Sequence, residues 1–181
     1  RSFRDAAGRQ RVALAVRSDL PLEAQVQAEG ATWLDRQLLA RDSAAVGSDG
    51  FGREVRDAMS ARVEHLVAEG LARRQGQRLI FAPNLLDTLR RRELDATAAQ
   101  IAASAGLPHR PPAEGEAVAG VYRQRLNLAS GRLAMIDDGL GFSLVPWSPS
   151  LDRHLGSHVS GIARARKIDW SFGRGRGPSV G

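Results

Sequence analysis

His154 and His158 stand four residues apart, the spacing that places two metal ligands on one helical face. Gly156 and Ser157 between them weaken a helix, and no acidic neighbour stands where a metal-assisted general base belongs. His65 and His109 do not complete a three-ligand cluster in sequence, so no metal is expected. Asp137-Asp138-Gly139 brings two carboxylates together, but a glycine-containing hairpin turn accounts for all three residues. Serine, histidine and aspartate all occur, yet no strand–turn–helix elbow presents a nucleophile. The spacing Gly173, Gly175, Gly177 is not a dinucleotide fingerprint, because no helix follows it. Tyr122, the sole tyrosine, sits in an alternating apolar run and is expected in a core, with Trp33, Trp147, Trp170, Phe142 and Phe172. The sequence thus predicts no catalytic set and no cofactor.

Arginine is what the chain has in excess. It carries 26 basic against 20 acidic residues, a net charge of +6, and all but Lys167 of the basic set are arginine. Such a bias fits either a GC-rich coding sequence or bidentate phosphate binding. The surplus lies in 51–110 and 151–181. The first cluster is Arg73, Arg74 and Arg78 followed by Arg90, Arg91 and Arg92; the second is Arg164, Arg166 and Lys167 with Arg174 and Arg176 in a glycine-spaced tail. Arginines on a hairpin would grip phosphates, and each neutralised phosphate would add a salt-dependent term to binding. A glycine-spaced arginine tail could follow a phosphate backbone in the same way. The candidate nucleic-acid contacts are therefore Arg73, Arg74, Arg78, Arg90, Arg91, Arg174 and Arg176. Base reading is not expected, because the helix before the hairpin sets Arg53, Arg56 and Arg62 against Glu54, Asp57, Glu64 and Glu69.

The elements that would position these residues read as follows. Thr32 with Asp35 three positions on is a capping box opening a short helix that ends near Arg41. Phe51, Val55, Ala58, Met59, Val63, Leu66 and Val67 form the apolar stripe of a second helix, ended by Gly70. A hairpin over 71–82 turns at Gln75-Gly76-Gln77, and a third helix runs from an Asn84 N-cap to Gly106. Helix, loop, helix, hairpin, helix is the order of a winged-helix-like domain over 30–106, with 1–29 as the linker remnant of a missing upstream domain. Pro108, Pro111, Pro112 and Gly115 mark 107–116 as a linker. Beyond it Val118, Tyr122, Leu126 and Leu128 alternate with polar positions, and five short strands over 117–181 suggest a small closed barrel of the SH3-like or OB-like kind. The fold class is α+β.

Composition sets the outer bounds. A 43% hydrophobic content excludes wholesale disorder, and no apolar run approaches the ~18 residues a membrane span needs. The absence of cysteine excludes a disulfide framework, a thiolate zinc site and a cysteine nucleophile, and fits a reducing cytoplasm. The first residues, from Arg1 to Arg17, carry neither the apolar core of a signal peptide nor a clear amphipathic period.

The runs GATWLDRQLLA (30–40), GFGREVRDAMSARVEHLVAEGLARRQGQR (50–78), LLDTLRRREL (85–94), GLPHRP (106–111) and above all GVYRQRLNLASGRLAMIDDGLGFSLVPW (120–147) resemble the C-terminal region of conjugative relaxases, the mobilisation nucleases of plasmids and integrative elements. The resemblance implies a bacterial, cytoplasmic parent that nicks DNA with a metal-assisted tyrosine in an N-terminal domain and passes through a type IV secretion channel. Nothing in this chain matches that nicking machinery, so it implies a non-catalytic accessory region whose partner is transfer-origin DNA, held through its phosphates. The competing expectation is a protein-interaction module that docks the type IV coupling or relaxosome proteins, with the arginine-rich tail as an export signal and DNA affinity incidental.

Overall fold

The computed structural model describes residues 2–4, 10–12, 20–40 and 51–172. They fall into two compact units, Arg1–Pro83 and Asn84–Gly181, each with a core of its own.

In the first unit, β1 (Ser2–Arg4) and β2 (Gln10–Val12) pair antiparallel, followed by α1 (Leu22–Val26), α2 (Trp33–Leu39) and α3 (Phe51–Ala68). The stretch 1–29, expected as a linker remnant, therefore contributes α1, whose Leu22 and Val26 pack against Trp33, Leu34 and Val55. The capping box is formed as predicted: Thr32 Oγ1 accepts from Asp35 N at 3.3 Å, and Asp35 Oδ2 accepts from Thr32 N at 2.7 Å. Glycine ends α3. With Gly70 at φ +73°, Leu71 N donates to Leu66 O (2.8 Å) and Gly70 N to Val67 O (3.0 Å), the paired bonds of a Schellman cap. The chain turns there into the hairpin of β3 (Ala72–Gln75) and β4 (Arg78–Phe81).

A buried ion pair ties this unit together. Arg62 and Asp35 are both fully buried, and all five guanidinium N–H groups find acceptors: Nε on Asp35 Oδ1 (2.8 Å), Nη1 on the carbonyls of Val26 (3.1 Å) and Ala28 (2.7 Å), and Nη2 on Gly30 O (3.0 Å) and Asp35 Oδ2 (2.9 Å). Gln25, also buried, adds bonds to Leu20 O and Leu34 N. The 26–30 connection thus has three of its carbonyls satisfied by one side chain from α3.

The second unit is α4 (Leu85–Ala105) with a five-stranded antiparallel sheet: β5 (Ala117–Leu128), β6 (Gly131–Asp137), β7 (Phe142–Pro146), β8 (His158–Ala163) and β9 (Ile168–Ser171), in the order β7-β6-β5-β8-β9. Asn84 precedes α4 in the left-handed conformation (φ 53°) and makes no side-chain capping bond, so the predicted N-cap is present in position only. Leu94, Ala98, Ile101 and Ala102 of α4 pack on Leu126, Leu133, Met135, Phe142 and Leu144 of the sheet. The opposite face carries Val118, Tyr122, Ala134, Ile136, Val145, Val159, Ala163 and Ile168, with Leu151 of a 3-10 turn (Pro149–His154) and the half-buried Trp147, Trp170 and Phe172 against it.

Three expectations change here. The sheet is not closed into a barrel, because β7 and β9 are its two ends and do not pair; α4 covers one of its faces. For the same reason the third helix sits in the second unit, and the division falls at Pro83–Asn84. The stretch 107–116 is fastened to the sheet: Phe142 N donates to Pro108 O (3.0 Å), Arg110 N to Phe142 O (2.8 Å) and Gly115 N to Ala163 O (2.7 Å). The regular alternation along β5 is broken as well. Its register jumps from Tyr122↔Ile136 to Gln124↔Met135, leaving Arg123 as a bulge, so Tyr122 faces one core and Leu126 the other.

Candidate nucleic-acid interface

The hairpin register sorts the three wing arginines. Arg73 pairs with Ile80 and Gln75 with Arg78, so Arg73 and Arg78 share one face, while Arg74, opposite Leu79, lies on the other. All three are exposed. Arg74 forms an ion pair with Glu64 of α3. Arg73 and Arg78 have no carboxylate partner among the described residues. Sequence grouping of the three as one cluster is therefore resolved into two cations on one face and one engaged by Glu64 of α3.

Burial of Arg62 alters the electrostatics of α3 as well. With that cation turned inward onto Asp35 and Glu64 engaged by Arg74, the other exposed charges of the helix are Arg53 and Arg56 against Glu54 and Asp57, so α3 offers no cationic surplus for entry into a groove of DNA.

Arg90 and Arg91 belong to α4, in the second unit. Arg90 pairs with Asp87 at 3.2 Å, and Arg91 is exposed. Arg90 also lines a groove of about 580 Å³ with Arg132 and Arg166, over a floor that includes Leu94, Leu133 and Pro146. Glu93 beneath it is buried and accepts from Ala129 N and Ser130 N, both at 3.0 Å, which fixes the β5–β6 turn against α4. Arg125 and Arg132 each place a guanidinium over the Trp147 ring, at 5.2 and 5.5 Å. Arg132 and Arg125 escaped the sequence reading, since nothing in local spacing brings residues 90, 132 and 166 to one groove.

The remaining sequence candidates take quieter positions. Arg164 and Lys167 both hold Asp169 (3.0 and 3.1 Å), and their hydrogen bonds, Arg164's first, keep its carboxyl below the usual range. Arg174 and Arg176 lie outside the described residues. His154 stacks on Phe172 with 4.2 Å between centroids, and His158 opens β8. In the turn after β6, Asp138 accepts from Leu140 N and Gly141 N, and these backbone bonds lower its carboxyl. No group of three or more His, Asp or Glu is placed to hold a metal among the described residues. Among them, too, no helix is long and apolar enough to cross a membrane.

A family model described as a protein of unknown function (DUF3363) matches residues 2–179. The chain belongs to that family. The match spans both units, so the hairpin with Arg73 and Arg78 and the groove with Arg90, Arg132 and Arg166 are features of one DUF3363 chain. No curated protein and no solved structure matches it.

Proposed function

We propose that this chain is a non-catalytic accessory region of a conjugative relaxase in the bacterial cytoplasm, holding DNA by its phosphates during mobilisation. The reading starts from the sequence resemblance and is supported by one observation: Arg73 and Arg78 stand side by side on the outward face of the hairpin without carboxylate partners among the described residues. The succession α1, α2, α3 and β3–β4 supports a winged-helix-like arrangement of the first unit, with the hairpin as its wing. The lack of a cationic surplus on α3 favours contact with phosphates over reading of bases.

Binding of the full chain to origin DNA, titrated across salt, tests this. The double substitution Arg73→Ala with Arg78→Ala is expected to flatten the slope of log K against log salt by about two on duplex DNA, ~0.9 for each phosphate that is no longer neutralised. Arg74→Ala should change it little, because that guanidinium is engaged by Glu64. An unchanged slope in the double variant would remove the hairpin from the interface. Transfer that depends on residues 173–181 while DNA binding does not would favour docking of secretion or relaxosome proteins instead.

A further inference from the structure

The first half of β5 has one edge with no strand beside it among the described residues. β6 pairs with β5 only from Val121↔Asp137 onward, whereas β8 pairs with Ala117 to Val121. Beyond the two ends of that ladder, Ala163 N donates to Glu116 O (2.9 Å) and Tyr122 N to Ser157 O (3.0 Å). In an antiparallel pair the backbone groups of alternate residues point to the same side, so Glu116, Val118, Gly120 and Tyr122 address β8. Ala117 and Ala119 then direct their N–H and C=O groups away from it. Neither residue has a partner on that side among the described residues.

That side is a cleft of about 690 Å³, walled by Arg110 to Pro112 on one flank and the Asp137–Gly139 turn on the other. The β6 ladder cannot be prolonged into it, because Asp137 Oδ1 takes Gly139 N (2.7 Å) and Asp138 N bonds Gly141 O (3.1 Å), which folds the chain away. Gly120 keeps the approach close: a Cβ there would stand 2.5 Å from Asp137 O. The side chains of Ala117 and Ala119 are small and exposed, leaving the backbone reachable.

Charge on the rim selects among occupants. Its carboxylates are already engaged: Glu116 Oε2 with Ala113 N (2.8 Å), Asp137 with Arg123 Nε (3.2 Å), and Asp138 with Leu140 N and Gly141 N (both 2.8 Å). Arg110 is exposed and forms no ion pair at contact distance among the described residues; its charge acts on Asp138, whose carboxylate the backbone amides hold. We propose that this cleft is a strand-addition site for a protein partner: an extended peptide pairs with Ala117 and Ala119 through its backbone and sets an acidic side chain against Arg110. Up to four backbone hydrogen bonds give affinity, and the cation gives preference. The site is independent of the DNA reading and needs none of its residues.

Panning a phage-displayed library of linear heptapeptides on the immobilised full chain, followed by synthesis of the retained peptides, tests the proposal. The retained peptides are expected to carry Asp or Glu and to shift the amide signals of Ala117 and Ala119 in a ¹H–¹⁵N spectrum. Ala119→Pro, which deletes one cleft-facing N–H, should weaken them about tenfold, and Arg110→Glu should do the same. Should Ala119→Pro fail to fold, methylating alternate backbone nitrogens of the peptide is expected to produce the same loss. A library that yields no binder overturns the site, as do binders indifferent to Arg110→Glu and to backbone methylation.

Discussion

Replacing Arg62 by Met removes a buried group whose hydrogen bonds tie 26–30 and α2 to α3, and its cost follows from the bonds it makes. Five N–H groups are withdrawn at once: the carbonyls of Val26, Ala28 and Gly30 lose their donor, and Asp35, fully buried, keeps only its bonds to Thr32. Breaking a buried ion pair from one side costs about 3–5 kcal/mol, because the partner charge stays behind without compensation. Arg62→Lys supplies three donors for five positions, leaving two acceptors unsatisfied at about 1–3 kcal/mol each, so it should rescue the fold only in part. Against a domain stability of roughly 5–15 kcal/mol, Arg62→Met is expected to leave the first unit marginal. Urea unfolding of the full chain followed by Trp33 fluorescence, with Trp147→Phe and Trp170→Phe silencing the second unit, measures the loss. A midpoint shift worth under about 1 kcal/mol for Arg62→Met would refute the reasoning, since a fully buried guanidinium cannot be removed so cheaply.

Two further outcomes belong to the second unit. Glu93→Ala should lower its stability by about 1–3 kcal/mol, because the half-buried amides of Ala129 and Ser130 lose their shared acceptor, itself on a buried side chain, and Glu93→Gln should recover part of that; chemical denaturation followed by Trp147 and Trp170 decides it. Burial lowers the pKa of His109, only partly opposed by Asp95, so the folded state favours the neutral ring. The unfolded chain then binds the extra proton first, and stability should fall as pH drops below about 6.5; His109→Asn is expected to remove that component from the pH profile of unfolding.

Local signals that act through the backbone were legible in the residues. The Thr32–Asp35 box, the Gly70 stop, the Gly76 hairpin turn, the Gly106 end of α4 and the Asp137–Gly139 turn all stand where their residue types put them. What escaped was any role that depends on a distant partner. Arg62 counts as polar in every periodicity, yet Asp35 and three carbonyls from a separate stretch of chain make it the largest wholly buried side chain. The apolar stripe of α4 was visible, but not that it meets a sheet formed later in the chain, and that ignorance made a closed barrel the natural expectation. Likewise Arg74 could not be told from Arg73 until the hairpin register set it beside Glu64.

Arg123 is exposed and takes no place in the ladder with β6, reaching it only through its side chain on Asp137, but its exclusion from that ladder sets the reading frame of β5. Excising it would join Tyr122 directly to Gln124, which already oppose the neighbouring Ile136 and Met135, so Tyr122 and Leu126 would keep their opposite layers; drawing it into the ladder at unchanged length would instead rotate Leu126 out of the layer beneath α4. The bulge is one residue of slack, so a one-codon deletion at this position should cost the strand no change of face.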